Sequence, residues 1–136
     1  MVRAPMAASP PAWLEDPGAV TTGATFRTVL YVRSAAEAVR EAVVEIAFDL
    51  RMVYCVALEP PPPGAPALST DVTVGRGAAT VAVTFHESVA AGEHPGGIAV
   101  ATVQWRCVGE GETRIAVRHA AASAQPWELR LIQRPR

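Results

Sequence analysis

The residues best suited to chemistry in this sequence are two histidines and two glutamates in one short stretch. The stretch reads FHESVAAGEHPGG and contains His86, Glu87, Glu93 and His94. Imidazole and carboxylate groups are common ligands of transition metals. The two histidines, however, are eight residues apart around a Gly- and Pro-containing loop, not at the spacing of the helical HExxH motif. We interpret the stretch as a strand ending at His86 and followed by a solvated polar loop. We therefore predict no metal and no cofactor, with His86, Glu93 and His94 as the weak candidate ligands.

Three tryptophans are the candidate binding residues. Trp13, Trp105 and Trp127 are the largest aromatic side chains in the chain, and an exposed indole offers a flat face on which a sugar ring stacks. Trp105 alternates with Val103 and Cys107, which favours a place in the core for its ring. Trp127 lies near the end of the chain and is expected at the rim of the domain. The sequence thus predicts Trp127, Trp105 and Trp13 as binding residues if the ligand is a glycan.

No arrangement for nucleophilic or phosphate chemistry accompanies these residues. None of the serines stands in the G-x-S-x-G pattern of a nucleophile elbow, and none has a recognisable base nearby in the sequence. The turn Gly75-Arg76-Gly77 is too short to cradle a phosphate, and it precedes a strand pattern instead of a helix. Carboxylates such as Asp49, Glu59 and Asp71 fall at predicted strand ends or turns, where they are usually solvated. We therefore predict that the protein is not an enzyme.

The composition indicates one globular domain with neither a nucleic-acid partner nor a membrane span. The chain has 136 residues, of which 50% are hydrophobic, and is long enough to enclose a core. Twelve basic and thirteen acidic residues give a net charge of −1, without the clustered basic surplus of a nucleic-acid-binding surface. No apolar run approaches the ~20 residues that span a bilayer. Cys55 and Cys107 are 52 positions apart without a CxxC spacing, which favours two buried free thiols over a single bridge.

The beginning of the chain differs in composition from the rest. Its first 18 residues, MVRAPMAASPPAWLEDPG, contain four prolines and lack the apolar stretch of a secretory signal. We predict a Pro-rich flexible segment over residues 1–21 and a single β-sandwich domain over residues 22–136. The sequence leaves the localisation open. The protein is extracellular or at the cell surface if a leader has been removed, and cytoplasmic otherwise.

Period-two alternation of apolar side chains predicts β-strands along most of the chain. Turns that contain glycine separate two pairs of such runs, which predicts two hairpins. The predicted elements are a strand from Phe26 to Val32, a hairpin of Leu68–Val74 and Ala79–Phe85 across Gly75–Gly77, a second hairpin of Ile98–Val108 and Thr113–Arg118 across Gly109–Glu112, and a closing strand with Trp127, Leu129 and Leu131. The prolines Pro60–Pro63 predict a stiff extended connector that cannot lie inside a central strand.

The segment from Ser34 to Leu58 fits two structures equally well on local grounds. Ser34-Ala35-Ala36-Glu37 is a capping-box pattern, and the apolar residues that follow it form one helical face up to Leu50. Val44 and Phe48 fall on the polar side of that helix. A strand instead places Val44, Ile46 and Phe48 on one face, and the period-two pattern continues from Leu50 to Leu58.

Two segments resemble the cohesin-like modules of bacterial cell-surface and cellulosome scaffolds. The first, AVVEIAFDLRMVYCVALEP from Ala42 to Pro60, is similar to a pair of strands in those modules. The second, GGIAVATVQWRCVGEGETRIAV from Gly96 to Val117, is similar to their late strands around a Gly-rich corner, and ATVAVTFHES lies between the two. The order and spacing match from Thr22 to Leu131. This resemblance favours strands between Ser34 and Leu58, and it implies an all-β, antiparallel, jelly-roll-like sandwich.

The resemblance also implies a function. Cohesins bind the dockerin domains of secreted enzymes through one sheet face, and relatives with this sandwich bind carbohydrate or serve in surface assemblies. The leading hypothesis is therefore a non-enzymatic recognition module for a protein partner or a glycan.

Two alternatives stay open. In one, the chain is a structural subunit of a surface filament and self-associates when an exposed edge strand or its first residues join a neighbour's sheet. In the other, residues 34–50 form a helix gripped by a curved sheet, as in α+β proteins that bind small ligands and in related enzymes.

Overall fold

The alternating apolar pattern becomes ten β-strands in two sheets. The computed structural model describes residues 11–33, 38–90, 93–120 and 126–135, and all the regular structure within these ranges is β. The strands are β1 (Ala12–Leu14), β2 (Val20–Thr21), β3 (Thr25–Val32), β4 (Val39–Ala47), β5 (Val53–Glu59), β6 (Leu68–Gly75), β7 (Ala78–Val89), β8 (Ile98–Cys107), β9 (Gly111–His119) and β10 (Trp127–Arg134).

The strands form a β-sandwich with one core between two sheets. One sheet has the order β1-β3-β8-β5 and the other the order β2-β10-β9-β4-β7-β6. All pairings are antiparallel except that of β2 with β10. The predicted all-β sandwich is thus confirmed. Its physical basis is the period-two pattern, which gives each strand one apolar face that only a second sheet can cover.

The core is built from the inward-facing residues of both sheets. In β7 the residues Ala79, Val81, Val83 and Phe85 are all at most 2% exposed, as their alternation predicts. The ring of Trp105 is fully buried. It meets Phe48 edge-on, with ring centroids 5.2 Å apart, and its indole Nε1 donates a 2.9 Å hydrogen bond to the Thr28 hydroxyl. This bond satisfies the one polar group of the indole inside an apolar core.

The ambiguous segment folds as strands. Residues Val44, Ile46 and Phe48 are buried, as the strand alternative predicts, and residues 39–47 and 53–59 form β4 and β5. The helix alternative is therefore wrong for residues 38–50, while the capping-box residues Ser34–Glu37 lie outside the described ranges. The predicted continuation from Leu50 is also wrong at its start. Leu50 is exposed in a turn, in which the carbonyl of Asp49 accepts hydrogen bonds from the amides of Met52 and Val53.

The two predicted hairpins have different outcomes. The hairpin of β6 and β7 is confirmed, with Val72 opposite Val81. The second hairpin is wrong, because β8 pairs with β3 and β5 in one sheet while β9 pairs with β10 and β4 in the other. The corner at Gly109 therefore carries the chain from one sheet to the other. There the Thr22 hydroxyl donates a 2.8 Å hydrogen bond to the Gly109 carbonyl, and a Cβ on Gly109 would lie 2.8 Å from the Arg51 carbonyl oxygen.

The sandwich begins earlier in the chain than predicted. Ala12 and Leu14 in β1 are 1% exposed and lie in the core, and Val20 in β2 pairs with Gln133 of β10. Residues 12–14 and 20–21 thus belong to the sheets, and the boundary at residue 22 is wrong. Strands of three and two residues are too short to show an alternating pattern, which explains the error. Residues 1–10 lie outside the described part of the chain.

Candidate functional site

The outer face of the six-stranded sheet carries a row of alanines. Ala47 of β4 lies opposite Ala78 of β7 on one side and Ala116 of β9 on the other. These side chains point away from the core, because their sequence neighbours Ile46 and Val117 are buried. With no bulk beyond Cβ, the row leaves a shallow hollow of about 360 Å³ across three strands. A partner can approach the sheet closely here.

An ion pair borders this hollow. Glu45 of β4 lies opposite Arg118 of β9 and Thr80 of β7, and the Arg118 guanidinium donates a hydrogen bond to the Glu45 carboxylate. The two side chains are 43% and 40% exposed, so the pair is partly open to solvent and contributes at most about 1 kcal/mol to stability. Its charges therefore remain accessible to a partner. We call Ala47, Ala78, Ala116, Thr80, Glu45 and Arg118 the alanine face.

A second hollow adjoins the alanine face further along β4. It measures about 370 Å³ and is lined by Glu41, Ala42, Val43, His119 and Ala120, with Val43 39% exposed. His119 is 9% exposed, and burial lowers the pKa of its imidazole. Its Nδ1 has no hydrogen-bond partner among the described residues. The sheet face thus combines small apolar side chains with a few charged groups over β7, β4 and β9.

Trp105 lies in the core, where its ring is closed to solvent. Its ring is fully buried between the sheets, as its alternation with Val103 and Cys107 favoured, and a buried ring cannot stack on a sugar. The prediction of Trp105 as a binding residue is corrected by the second sheet, which covers the face on which it lies.

Trp13 is occupied by contacts within the protein. Its indole stacks on Tyr31, with ring centroids 5.4 Å apart and planes 15° apart, and the Arg33 guanidinium lies 5.0 Å from the ring centre. Its edge lies against Gly97, where a Cβ would be 2.4 Å from the ring. Trp127 of β10 is half-buried against the core. The structure brings neither of them to the alanine face, and their role in binding stays a prediction.

The weak candidate metal ligands do not converge. His86 and Glu93 line one hollow of about 290 Å³, whereas His94 lines a different hollow with Tyr31 and Pro62. The His86 Nε2 is 3.1 Å from the Ser69 hydroxyl, and a carboxylate oxygen of Glu93 accepts a 3.0 Å hydrogen bond from the amide of Ala90. Within the described ranges, no three His, Cys, Asp or Glu side chains are grouped as metal ligands.

The cysteines are free thiols, as predicted. Cys107 is buried and Cys55 is half-buried, and burial raises the pKa of both thiols. Cys55 lies opposite Trp105, so Cys107 is its diagonal neighbour on the adjacent strand. Diagonal neighbours have Cα atoms about 7–8 Å apart, which exceeds the usual span of a disulfide.

The sequence comparisons give no relative. No protein-family model matches the chain, and the search of curated proteins finds no match either. Nor does the described part of the chain contain a helix with the length and hydrophobicity of a membrane span.

Comparison with solved structures identifies the fold. The cohesin module of a family 33 glycoside hydrolase from Clostridium perfringens superimposes with a TM-score of 0.68 over 92% of this chain and 96% of the module, at 9% identity. A non-cellulosomal cohesin from the archaeon Archaeoglobus fulgidus has a TM-score of 0.59 over 89% and 91%, at 7% identity. The sixth cohesin of scaffoldin B from Acetivibrio cellulolyticus, solved in complex with a dockerin, has a TM-score of 0.58 over 87% and 94%, at 8% identity. The resemblance seen in the sequence is thus confirmed for the fold: this chain is a cohesin-like β-sandwich.

Proposed function

We propose that this protein is a non-enzymatic recognition module that binds a protein partner through the alanine face. The observation that carries the proposal is the cross-strand row of Ala47, Ala78 and Ala116 beside an accessible ion pair. Protein interfaces characteristically combine a core depleted of charge with a polar rim. Side chains this small also let a partner's larger groups contact the sheet without displacing anything.

The opposite outer face is less suited to this role. On the four-stranded sheet, outward positions carry Arg27, Gln104 and Arg106, and Arg27 is bonded to Glu59 at 2.8 Å. A partner would have to desolvate these groups, which costs free energy. The six-stranded face carries ion pairs as well, so the row of small side chains beside them, and not an absence of charge, is the ground for preferring it.

A protein partner is favoured over a glycan by the use the fold makes of its tryptophans. Trp105 is buried, and Trp13 packs on Tyr31 with the Arg33 guanidinium 5.0 Å from its ring centre, so the rings of both already make contacts within the protein that stacking on a sugar would compete with. The structural neighbour from Acetivibrio cellulolyticus was solved with a dockerin, which supports a protein module as the partner class here. A location at the cell surface or outside the cell follows from this role and stays a prediction.

The test compares wild type with Ala47→Glu and with the control Thr25→Glu. Ala47 is at the centre of the alanine face, whereas Thr25 is exposed on the other sheet. Proteins captured by the immobilised wild type from secreted and cellular extracts are identified, purified and titrated by calorimetry, alongside a panel of dockerin modules. We expect Ala47→Glu to weaken binding at least tenfold, about 1.4 kcal/mol, and Thr25→Glu to leave it within about threefold. Equal affinities for all three proteins, or binding on a glycan array without any protein partner, would contradict the proposal.

A further inference from the structure

One sheet edge differs from the other three in lacking any feature that blocks strand pairing. Among the described strands, edge β1 has three residues, edge β2 has two, and edge β5 is interrupted by a bulge between Cys55 and Ala57. Edge β6, by contrast, runs for eight residues in unbroken register with β7. It contains no proline and a single charge, Asp71. Short edges, bulges, prolines and charges are the usual means of preventing edge-to-edge pairing, and β6 has almost none of them.

The hydrogen-bond pattern shows which groups of β6 are free. The carbonyl of Ala67, just before β6, accepts a 2.9 Å hydrogen bond from the amide of His86 in β7. Bonded and non-bonded pairs alternate along an antiparallel ladder, so the odd-numbered residues of β6 bond to β7. The even-numbered residues Leu68, Thr70, Val72 and Val74 direct their N–H and C=O groups to the open edge, where no described strand pairs with them.

The same even-numbered residues overhang the core. They lie opposite the buried residues of β7, such as Val81, and their side chains therefore point to the inner side of the sheet. Leu68 and Val72 are half-buried against the core, whereas Val74 is 52% exposed and Thr70 is exposed as well. An inner face that is only partly covered thus coincides with a row of free backbone groups.

We propose that β6 pairs antiparallel with β6 of a second copy of this chain, about a twofold axis at Val72. Two registers pair seven residues of each strand so that the free N–H and C=O groups of one copy face those of the other. One register is centred on Asp71 and the other on Val72. The first places the two Asp71 carboxylates directly opposite each other, which is destabilising. The second places Asp71 opposite Thr73, Val72 opposite Val72 and Thr70 opposite Val74. It is isologous, and the inward side chains of the two β6 strands contact each other across the new strand pair.

The test measures self-association by sedimentation over a wide concentration range. Val74→Lys introduces an inward-pointing charge at the edge, and Ile132→Lys, at a 44% exposed site on β10, is the matched control. We expect a concentration-dependent dimer for wild type and Ile132→Lys, and dimerisation at least tenfold weaker for Val74→Lys. Thermal unfolding of each variant establishes that it is folded.

Two further results decide the register and the partner. Asp71→Asn changes the dimer affinity less than threefold if the axis lies at Val72, and strengthens dimerisation markedly if it lies at Asp71. Backbone amides of Val72 and Val74 gain protection from hydrogen exchange only in the dimer. A wild type that stays monomeric at millimolar concentration, a dimer insensitive to Val74→Lys, or a monomer that instead binds extended peptides at this edge would each overturn the proposal.

Discussion

The hydrogen bond between Trp105 and Thr28 makes a sharp prediction about core stability. Thr28→Val replaces the hydroxyl that accepts the indole N–H by a methyl group of nearly the same volume. Both residues are fully buried and joined by a 2.9 Å bond, so neither water nor a cavity can compensate. A buried donor left without an acceptor costs about 1–3 kcal/mol. We therefore expect Thr28→Val to lower the free energy of unfolding by that amount, as measured by urea denaturation followed by far-UV circular dichroism.

A second substitution tests whether the cost arises from this bond. Trp105→Phe removes the donor, so that in its background the Thr28 hydroxyl has lost its indole partner and valine suits the apolar surroundings. Thr28→Val should then change stability by less than about 0.5 kcal/mol, and the double-mutant cycle should show a coupling of about 1 kcal/mol or more. A loss below about 0.5 kcal/mol in the wild type, or the same loss in both backgrounds, would refute the reasoning.

Three other predictions concern the sheet end, the buried histidine and the thiols. Gly97→Ala should destabilise the protein by about 2 kcal/mol or more, because φ is +94° and a Cβ would lie 2.4 Å from the Trp13 ring. In a Trp13→Ala background urea denaturation should show a smaller loss. Burial lowers the pKa of His119, so the unfolded chain binds the proton more tightly. The contribution of neutral His119 to the free energy of unfolding should therefore be fully present above pH 6.5 and be lost below it, by at most about 1.4 kcal/mol per pH unit. Melting temperatures measured from pH 7 to 5 should depend less on pH in His119→Leu than in the wild type. Because burial raises the pKa of Cys107, iodoacetamide at pH 8 should modify it slowly in the folded protein and rapidly in urea, whereas equal rates would contradict its place in the core.

The sequence alone was sufficient to predict those elements in which a long alternating pattern pairs with a neighbouring segment of the chain. The β6–β7 hairpin follows from regular alternation on both sides of a glycine turn, since each strand finds its partner within a few residues. The strand structure of Val39–Ala47 was ambiguous, because Ala and Glu favour a helix while Val, Ile and Phe favour a strand. Burial of Val44 and Ile46 between the sheets decided it.

The wrongly predicted hairpin and the alanine face are two features that a local sequence pattern could not predict. Strands β8 and β9 alternate with the same period, and nothing in that period says that the corner at Gly109 leads into the other sheet. Likewise Ala47, Ala78 and Ala116 are 31 and 38 residues apart in the chain and are individually unremarkable. Only the pairing of β4 with both β7 and β9 brings them together, so no sequence motif could have indicated them.

The histidines and tryptophans illustrate the same division. The sequence by itself determined that the protein is mainly β and where most strands run, because the side-chain period of a strand is a property of the local backbone. It also favoured a core position for Trp105, although it could not exclude this residue from the candidate binding residues. Only the tertiary structure decided which strands are neighbours, that His86 and His94 line separate hollows, and which outer face carries the row of alanines. The physical reason is that strand pairing is selected by the burial of whole sheet faces. Residues that are far apart in the sequence contribute to this free energy together, so no short segment determines it.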